Sequence, residues 1–232
     1  MSPIKLYDLA GADASLRFSP FCWRTRMALA HKGLPVETIA WRFSDKDVIA
    51  FSGQGRVPVL VDGGRTVFDS WTIAEYLDET YGDRPSLLGD EPSAALTRFV
   101  NAWTNGVIHP ALAPLVLSDI YACIDDGDKA YFRSSREKVF GKALEDVSAN
   151  RDTDVLAFRR CLEPLRVTLQ VQSFIAGATP AYADYIVFGA FQWARGVSPF
   201  RLLEDNDPVA AWRQRMLEAF DGLAARAPGH AV

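Results

Sequence analysis

The chain has 232 residues, of which 49% are hydrophobic and 23% are charged, so it can bury the core of one large domain or two small ones. Its formal net charge is −4 and its Lys and Arg residues are scattered, which argues against a nucleic-acid partner. We identify no secretory signal and no apolar segment of bilayer length, so we expect a cytoplasmic protein without a membrane partner.

The first eighty residues alternate short apolar strands with helical patterns. Strands are predicted at 4–7, 36–41, 57–62 and 66–69, and helices at 20–32 and from Ser70 onward. Gly33 suits the end of the first helix, and Ser70 is the expected N-cap of the second. This β-α-β, β-β-α order is typical of an α/β thioredoxin-like domain.

The second part of the chain is predicted to be entirely helical. A stretch at 81–92 is rich in Gly, Pro and Asp, so we place the boundary there, between a domain of residues 1–84 and one of residues 92–232. Apolar residues recur at helical spacing near 92–123, 129–149, 154–174, 182–195 and 208–221. Pro110 and Pro114 are expected to bend or interrupt the first of these helices.

The stretch "SPFC" at the start of the first helix allows three interpretations. Ser19 as N-cap followed by Pro20 is an ordinary helix entrance. A nucleophilic Ser19 would need a base, but His31 lies about 18 Å further along the same helix and no G-x-S-x-G turn is present. The third interpretation is a C-x-x-C motif whose first cysteine is Ser19, which cannot form the local disulfide. A hydroxyl at a helix N-terminus can still donate a hydrogen bond to a thiolate that a substrate brings.

The cysteines and histidines are few and dispersed. Cys22, Cys123 and Cys161 are too far apart in sequence for a disulfide framework or a zinc site, and this usage suits a reducing compartment. The three histidines are equally scattered. We therefore expect no metal site.

Three motifs in sequence order carry a family resemblance. "SPFCWRTR", "RVPVLVD" and "FDSWTIAEYLDETY" resemble the glutathione S-transferase superfamily, and the resemblance extends over essentially the whole chain. It implies a thioredoxin-like N-terminal domain, an all-α C-terminal domain and glutathione as co-substrate, without a metal. More narrowly, "LYDLAG", "SREKVFGKALEDV", "PAYADY" and "DNDPVAAW" are similar to bacterial β-etherases. Those glutathione-dependent enzymes cleave lignin-derived β-aryl ethers and resemble the fungal FuA class.

The resemblance assigns roles to particular residues. Ser19 would be the catalytic residue that positions the glutathione thiolate. The bond between Val57 and Pro58 would be cis, so that the Val57 backbone pairs with the cysteinyl part of glutathione. Ser70 would hold the γ-glutamyl carboxylate and Asp69 the amino group. Weaker candidates near the glycyl end are Trp41, Arg42, Gln54 and Arg56.

The resemblance also implies an aromatic second substrate and a homodimer. The aromatic compound would lie between the Ser19 loop and the first long helix of the second domain, near Phe18, Trp103, Val107 and Ile108. Their helical spacing equally suits ordinary core packing. Three functions stay open: β-aryl ether cleavage, general conjugation or dehalogenation, and binding of glutathione and aromatic compounds without turnover.

One position departs from the family pattern. Transferases of this type cap the buried helix near residue 182 with Ser or Thr, but Ala181 stands there, three residues before Asp184. We expect the missing hydroxyl to cost about 1 kcal/mol of stability.

Overall fold

The computed structural model describes residues 3–231 and begins with one mixed four-stranded sheet. Its strand order is β2-β1-β3-β4. The parallel pair is β1 with β2, whereas β3 is antiparallel to both β1 and β4. The strands are β1 (Ile4–Leu9), β2 (Val36–Trp41), β3 (Val59–Asp62) and β4 (Arg65–Phe68). This is the predicted thioredoxin-like order.

Two α-helices and a 3₁₀-helix complete the N-terminal part. Helix α1 (Pro20–His31) connects β1 to β2, the 3₁₀-helix (Lys46–Ser52) precedes β3, and α2 (Ser70–Thr80) follows β4. Helix α1 also packs along α9 (Tyr182–Val197) of the helical part. Gly189 permits this close approach, because a Cβ atom there would overlap the carbonyl oxygen of Pro20. The two parts of the molecule therefore share a tight helix-helix contact.

From Glu91 onward the described elements are helices. They are α3 (Glu91–Trp103), α4 (His109–Cys123), α5 (Asp126–Phe140), α6 (Leu144–Val147), α7 (Arg151–Cys161), α8 (Glu163–Leu169), α9 and α10 (Pro208–Gly222). Two predicted helices are each divided in the structure. Gly141, with φ 65°, ends α5, and a break at Leu162 separates α7 from α8. The last residues of α10 leave helical geometry at Ala219–Asp221.

The segment α3 to α4 is one helical run, Glu91–Cys123, joined by a π-helical turn at Thr104–Ile108. The N–H of His109 donates to the carbonyl of Thr104, five residues back. Pro110 and Pro114 leave the run continuous, so the expected interruption is wrong. At 33 residues the run is also long and apolar enough to span a bilayer. The expectation that the chain contains no apolar segment of bilayer length is therefore wrong. It packs against α9 and α7 in this fold.

Helix α9 is buried on all sides, and its start is held by a carboxylate from inside its first turn. Ala181 is the N-cap and offers no side-chain acceptor, as expected. Asp184, which is 0% exposed, accepts from the backbone N–H groups of Ala181, Ala176 and Ile175. It also accepts from the indole N–H of Trp212 at 2.9 Å. Four donors thus converge on one buried side chain.

Candidate active site

Strand topology gathers the ends of three strands at one edge of the sheet. Tyr7 of β1 lies opposite Val59 of β3, and Val59 lies opposite Phe68 of β4. Because β3 is antiparallel to both neighbours, its first residue lies beside the last residues of β1 and β4. The segments that follow β1, precede β3 and follow β4 therefore meet. These segments contain Ser19, Val57–Pro58 and Asp69–Ser70.

The loop after β1 returns to the strand before α1 begins. Ala10 and Arg17 form an isolated bridge, and the N–H of Phe18 donates to the carbonyl of Leu9. Ser19 then stands next to the end of β1 as the N-cap of α1, and it is 3% exposed. Its Oγ accepts from the N–H of Cys22 at 3.2 Å, which leaves its hydroxyl proton free to donate to a ligand.

Cys22 is unsuited to be the reactive thiol. Its side chain is fully buried, and burial together with the charge of Asp8 raises its thiol pKa well above the ordinary value. The thiolate is the nucleophilic form of cysteine, so a raised pKa makes the side chain inert. The chemistry of this helix start thus rests with the Ser19 hydroxyl and the first-turn backbone.

The segment before β3 presents unpaired backbone to the same edge. The Val57–Pro58 peptide bond is cis, as the resemblance implied. Within the described residues, the N–H and C=O of Val57 have no hydrogen-bond partner. An extended ligand backbone can therefore add to this edge as a short antiparallel strand.

The start of α2 differs from the expectation in one respect. Asp69, not Ser70, is the N-cap, and its Oδ1 accepts from the N–H groups of Trp71 and Thr72 at 2.9 and 3.1 Å. Asp69 has φ 69°, a left-handed conformation that is strained for a residue with a side chain. Ser70 occupies the first helical position, so its N–H and its hydroxyl are the donors that the cap leaves for an anion.

Sequence reasoning missed Arg24, a buried cation behind this helix start. Its guanidinium is bonded to the side-chain oxygens of Asn101 and Asn105, each at 2.9 Å. In the described part of the chain no carboxylate lies within 4 Å of it. Burial lowers the pKa of Arg24 to about 10, so it stays charged near neutral pH.

The charge of Arg24 acts on the start of α2 at longer range. Its direct contacts are Asn101, Asn105 and His109, and the carboxylate of Asp69 raises its pKa against the effect of burial. The hydroxyl of Tyr182 donates to the backbone carbonyl of Ser70. A buried cation without a carboxylate partner favours a bound anion nearby. The sequence signal was an arginine on the buried face of α1, between Trp23 and Thr25.

The predicted aromatic-site residues divide into two groups. Phe18 and Ile108 are fully buried core side chains, which matches the packing alternative rather than a ligand surface. Trp103 is half-buried and Val107 is 42% exposed, so both are available to a ligand.

Three half-buried aromatic rings that sequence reasoning missed lie beside this region. His109 packs edge-on against Phe21 and Trp193, with ring centroids 5.4 and 5.9 Å apart. Burial, followed by the charge of Arg24, lowers the pKa of His109 to about 3, so this ring is neutral near pH 7. The sequence signal for Phe21 was its position within the "SPFC" motif.

Comparison with protein-family models decides the family. Residues 18–80 match the glutathione S-transferase N-terminal domain, and residues 95–220 match the glutathione S-transferase C-terminal domain. The chain belongs to the glutathione S-transferase family. Its fold is accordingly the transferase fold, a thioredoxin-like domain followed by helices.

Individual transferases match along nearly the whole chain. A glutathione S-transferase of Ceriporiopsis subvermispora, solved in complex with glutathione, is 28% identical, with a TM-score of 0.81 over 95% of this chain and 97% of that one. Glutathione transferase GSTFuA3 of Phanerochaete chrysosporium shares the fold, with a TM-score of 0.84, 23% identity and coverage of 96% and 97%. Probable glutathione S-transferase GSTU6 of Oryza sativa subsp. japonica is 26% identical over 85% of this chain and 80% of its own length.

The weaker candidates for this transferase's glycyl-end contacts are mostly occupied. Trp41 is buried and its indole N–H donates to the carbonyl of Asp45, so we drop it from the proposed ligand contacts. Arg42 donates to loop carbonyls at Gly11 and Ala12.

Gln54 and Arg56 differ in what they leave for a ligand. Gln54 folds back on the backbone of Arg56, accepting from its N–H at 2.7 Å and donating to its carbonyl. The exposed guanidinium of Arg56 is the best remaining cation for a carboxylate. Within the described ranges, no group of three or more His, Cys, Asp or Glu side chains could hold a metal ion.

Proposed function

We propose that this transferase binds glutathione along the shared sheet edge and joins the glutathione thiolate to an aromatic electrophile as a thioether. The observation that carries the proposal is the convergence there of three features. These are a hydroxyl donor at the start of α1, unpaired backbone at Val57, and free donors at the start of α2, with the buried charge of Arg24 on the neighbouring α1. The 28% identical transferase solved with glutathione supports the assignment.

Each part of glutathione has a partner of matching chemistry in this arrangement. The cysteinyl backbone pairs with Val57, and the γ-glutamyl carboxylate takes the N–H and hydroxyl of Ser70. The γ-glutamyl amino group lies at the Oδ2 of Asp69, the carboxylate oxygen that the cap leaves unused. The glycyl carboxylate faces Arg56. The thiolate then accepts a hydrogen bond from Ser19.

Positioning contributes more to the rate than thiol activation does. A free thiol with pKa near 8.5 is only ~3% thiolate at pH 7, so lowering its pKa by two units gains at most ~25-fold. Nucleophilicity falls as the pKa falls, which reduces that gain. Holding thiolate and electrophile together contributes several kcal/mol more. Ser19 is therefore less important than the residues that fix glutathione.

The electrophile we favour is a lignin-derived β-aryl ether with a ketone at the adjacent carbon. The thiolate attacks the ether-bearing carbon, a carbon–sulfur bond forms, and the carbon–oxygen bond breaks to release an aryloxide. The aryloxide takes a proton from water, because a phenol with pKa near 10 leaves without a dedicated acid. The neutral His109 then lines the aromatic-substrate site without donating a proton. Phe21, Trp103 and Trp193 offer aromatic contacts to the substrate.

The decisive experiment follows phenol release from an α-keto β-aryl ether, with and without glutathione. We expect release that depends on glutathione together with a thioether of the combined mass. An activated aryl halide serves as the comparison substrate. Turnover of the halide alone would assign general conjugation instead, and tight aromatic binding without product would assign a binding protein.

We also propose that the transferase is a cytoplasmic homodimer in which the first domain of one subunit contacts the second domain of the other. Both domains carry exposed apolar side chains: Leu96 and Phe99 on α3 are each 70% exposed, while Phe51 and Phe68 are 54% and 45% exposed. Sedimentation should give twice the 25.7 kDa chain mass at micromolar concentration. A Phe99→Glu variant should shift the mass toward the monomer, and a monomeric wild-type protein would contradict the proposal.

A further inference from the structure

A solvent-open cavity lies between the loop after β1, the middle of α1, the edge strand β2 and the C-terminal tail. Its volume is about 340 Å³. Three arginines line it: Arg17 from the loop after β1, Arg26 from α1, and Arg226 from the tail. The hydroxyl residues Ser15 and Thr38 contribute to the wall, and the tail at 223–228 closes one side.

Each guanidinium is held in place by the protein itself. Arg26 stacks on the buried ring of Trp23, with its central carbon 4.1 Å from the ring centroid. The Nε of Arg17 donates to the carbonyl of Ala14 at 2.7 Å, and Arg226 donates to the carbonyl of Asp221. Because these side chains are already ordered, a ligand that meets them loses little of its binding free energy to side-chain ordering.

Negative charge in and around the cavity is too little to balance the arginines. Asp8, which is 0% exposed, forms an ion pair with Arg26 at 3.7 Å and so offsets one of the three positive charges. The exposed Asp13 accepts from the hydroxyl of Ser15 at 2.8 Å. Across residues 3–231, no carboxylate lies within 4 Å of Arg17 or Arg226. The residues around the cavity therefore carry a net positive charge, although the formal net charge of the whole chain is −4.

The tail that closes the cavity is itself fixed. Arg195 of α9 donates to the carbonyls of Ala224, Ala225 and Ala227. Its own carbonyl accepts from the N–H of His230 at 2.8 Å. The tail segment 223–228 is therefore held in place by hydrogen bonds to α9.

We propose that this cavity binds a small organic anion that carries at least two negative charges on oxygen. Guanidinium groups pair with carboxylate and phosphate oxygens through two parallel hydrogen bonds, so converging arginines favour a dianion. The cavity is open to solvent and its volume exceeds the need of a bare inorganic ion, so an organic body can extend out of it. The apolar side chains of Leu223 and Pro228 would contact the organic body.

The proposed site is distinct from the glutathione site. It uses β2, which stands at the sheet edge on the far side of β1 from β3. Two strand spacings separate β2 from β3, on the order of 10 Å, and none of the cavity's lining residues belongs to the proposed glutathione contacts. The inference therefore does not depend on the proposed function.

Isothermal titration of the full chain at low ionic strength tests the site. The probes are phenyl phosphate, phthalate as an aromatic dicarboxylate, and benzoate as the monoanion of the same body. We expect one molecule of a dianion per chain and at least tenfold weaker binding of benzoate. Comparing phenyl phosphate with phthalate then decides between phosphate esters and dicarboxylates as the ligand class.

Variants locate the binding. Arg26→Gln and Arg226→Gln should each weaken dianion binding tenfold or more, and the exposed Arg226 keeps the test valid if Arg26→Gln fails to fold. Arg84→Gln makes the same charge change at an exposed position after α2, outside the cavity, and should leave binding unchanged. Absence of binding at millimolar concentration, or equal weakening by Arg84→Gln, would each overturn the proposal.

Discussion

Helices α1 and α2 begin at the same edge of the sheet, yet their serines have opposite structural roles. In α1, Ser19 is the cap, so its oxygen is occupied while its proton stays available. In α2, Asp69 takes the cap, so the hydroxyl and N–H of Ser70 are both left for a ligand. The residue type alone therefore does not decide the role of a first-turn serine. The residue that fills the cap decides it.

The start of α9 provides a third arrangement. Ala181 has no oxygen to offer, and Asp184 instead accepts from four donors, including the indole of Trp212. A helix start that serves a ligand keeps donors free, whereas at the start of α9 one buried carboxylate accepts from the cap residue, the preceding turn and α10. Five predictions test this contrast, in order of decreasing effect.

Replacing the acceptor of α9 should have the largest effect. In Asp184→Ala, the buried indole N–H of Trp212 and three partly buried or exposed backbone N–H groups lose their acceptor. A buried unsatisfied donor costs about 1–3 kcal/mol and a partly exposed one costs less, so we expect the free energy of unfolding to fall by about 3 kcal/mol or more. Denaturant unfolding measures it. The control is Asp90→Ala, which removes an exposed cap that accepts from the N–H of Ser93, and should cost about 1 kcal/mol. Equal losses would contradict the contrast.

The start of α4 should impose a pH dependence on stability. His109 has a pKa lowered to about 3 by burial and by Arg24, whereas the unfolded chain protonates it near 6.5. Its contribution to stability is present above pH 6.5 and is lost as the pH falls toward 3, by up to about 1.4 kcal/mol per pH unit.

The variant pair His109→Gln and His230→Gln isolates this slope. His109→Gln should flatten the fall of unfolding free energy between pH 6.5 and 4.5, measured by denaturant titration at each pH. The exposed His230→Gln makes the same chemical change and should retain the wild-type slope. A wild-type slope in His109→Gln would show that this ring is not held neutral.

At α2, Ser70→Ala should raise the KM for glutathione while leaving the KM for the aromatic substrate nearly unchanged. The variant removes a hydrogen bond to a carboxylate remote from the chemistry, worth about 1.5–3 kcal/mol, so the weakening should be roughly ten- to a hundredfold. Calorimetry with glutathione measures it directly, and Ser173→Ala, an exposed serine, is the control. Unchanged affinity would reject the role of Ser70.

At α1, Ser19→Ala should lower turnover only about tenfold, because one hydrogen bond to the thiolate is lost while the helix end and the bound geometry remain. Steady-state kinetics at saturating glutathione measures this. A loss of a thousandfold or more would mean that activation outweighs positioning.

Ser19→Cys sharpens the same prediction. Its thiolate should attack oxidised glutathione, forming a mixed disulfide and releasing one glutathione thiolate, visible by intact mass. Because burial raises the pKa of Cys22, that disulfide should persist rather than be resolved by Cys22. No adduct at all would mean that residue 19 does not face the glutathione sulfur.

The smallest effect is a gain. Ala181→Ser supplies the missing cap oxygen at α9 and should raise the free energy of unfolding by about 1 kcal/mol. Denaturant unfolding measures it, and Ala178→Ser, in the exposed turn before the helix, should change little. A loss of stability in Ala181→Ser would show that no N–H in the first turn of α9 is free to donate to the added hydroxyl.

Much of the fold follows from local patterns, because strand alternation, Gly33 and the Gly63–Gly64 turn each act within a few residues. The helix breaks inside 129–149 and 154–174 were missed, since apolar spacing continues across Gly141 and Leu162. The cap position of Ser19 and the cis bond after Val57 could be predicted, because the local sequence and the family resemblance agree at these two positions.

The rest of the site depends on contacts that sequence spacing does not encode. Arg24 meets Asn101 and Asn105 more than seventy residues away, and the aromatic group joins residues from α1, α4 and α9. The cap at Asp69 was missed because serine and aspartate are about equally good N-caps. The left-handed backbone conformation of Asp69, which the sequence does not reveal, makes it the cap instead of Ser70.

The close approach of Gly189 to Pro20 bears on whether the two halves of this protein can be exchanged. Pro20, the residue after Ser19, rests directly on the backbone of α9, so a helical half taken from another transferase would fit only with glycine at this position. Any larger residue would displace the first turn of α1, and with it the hydroxyl of Ser19. A chimaera built by joining domains at the 81–90 segment would therefore inherit its catalytic geometry from both parents.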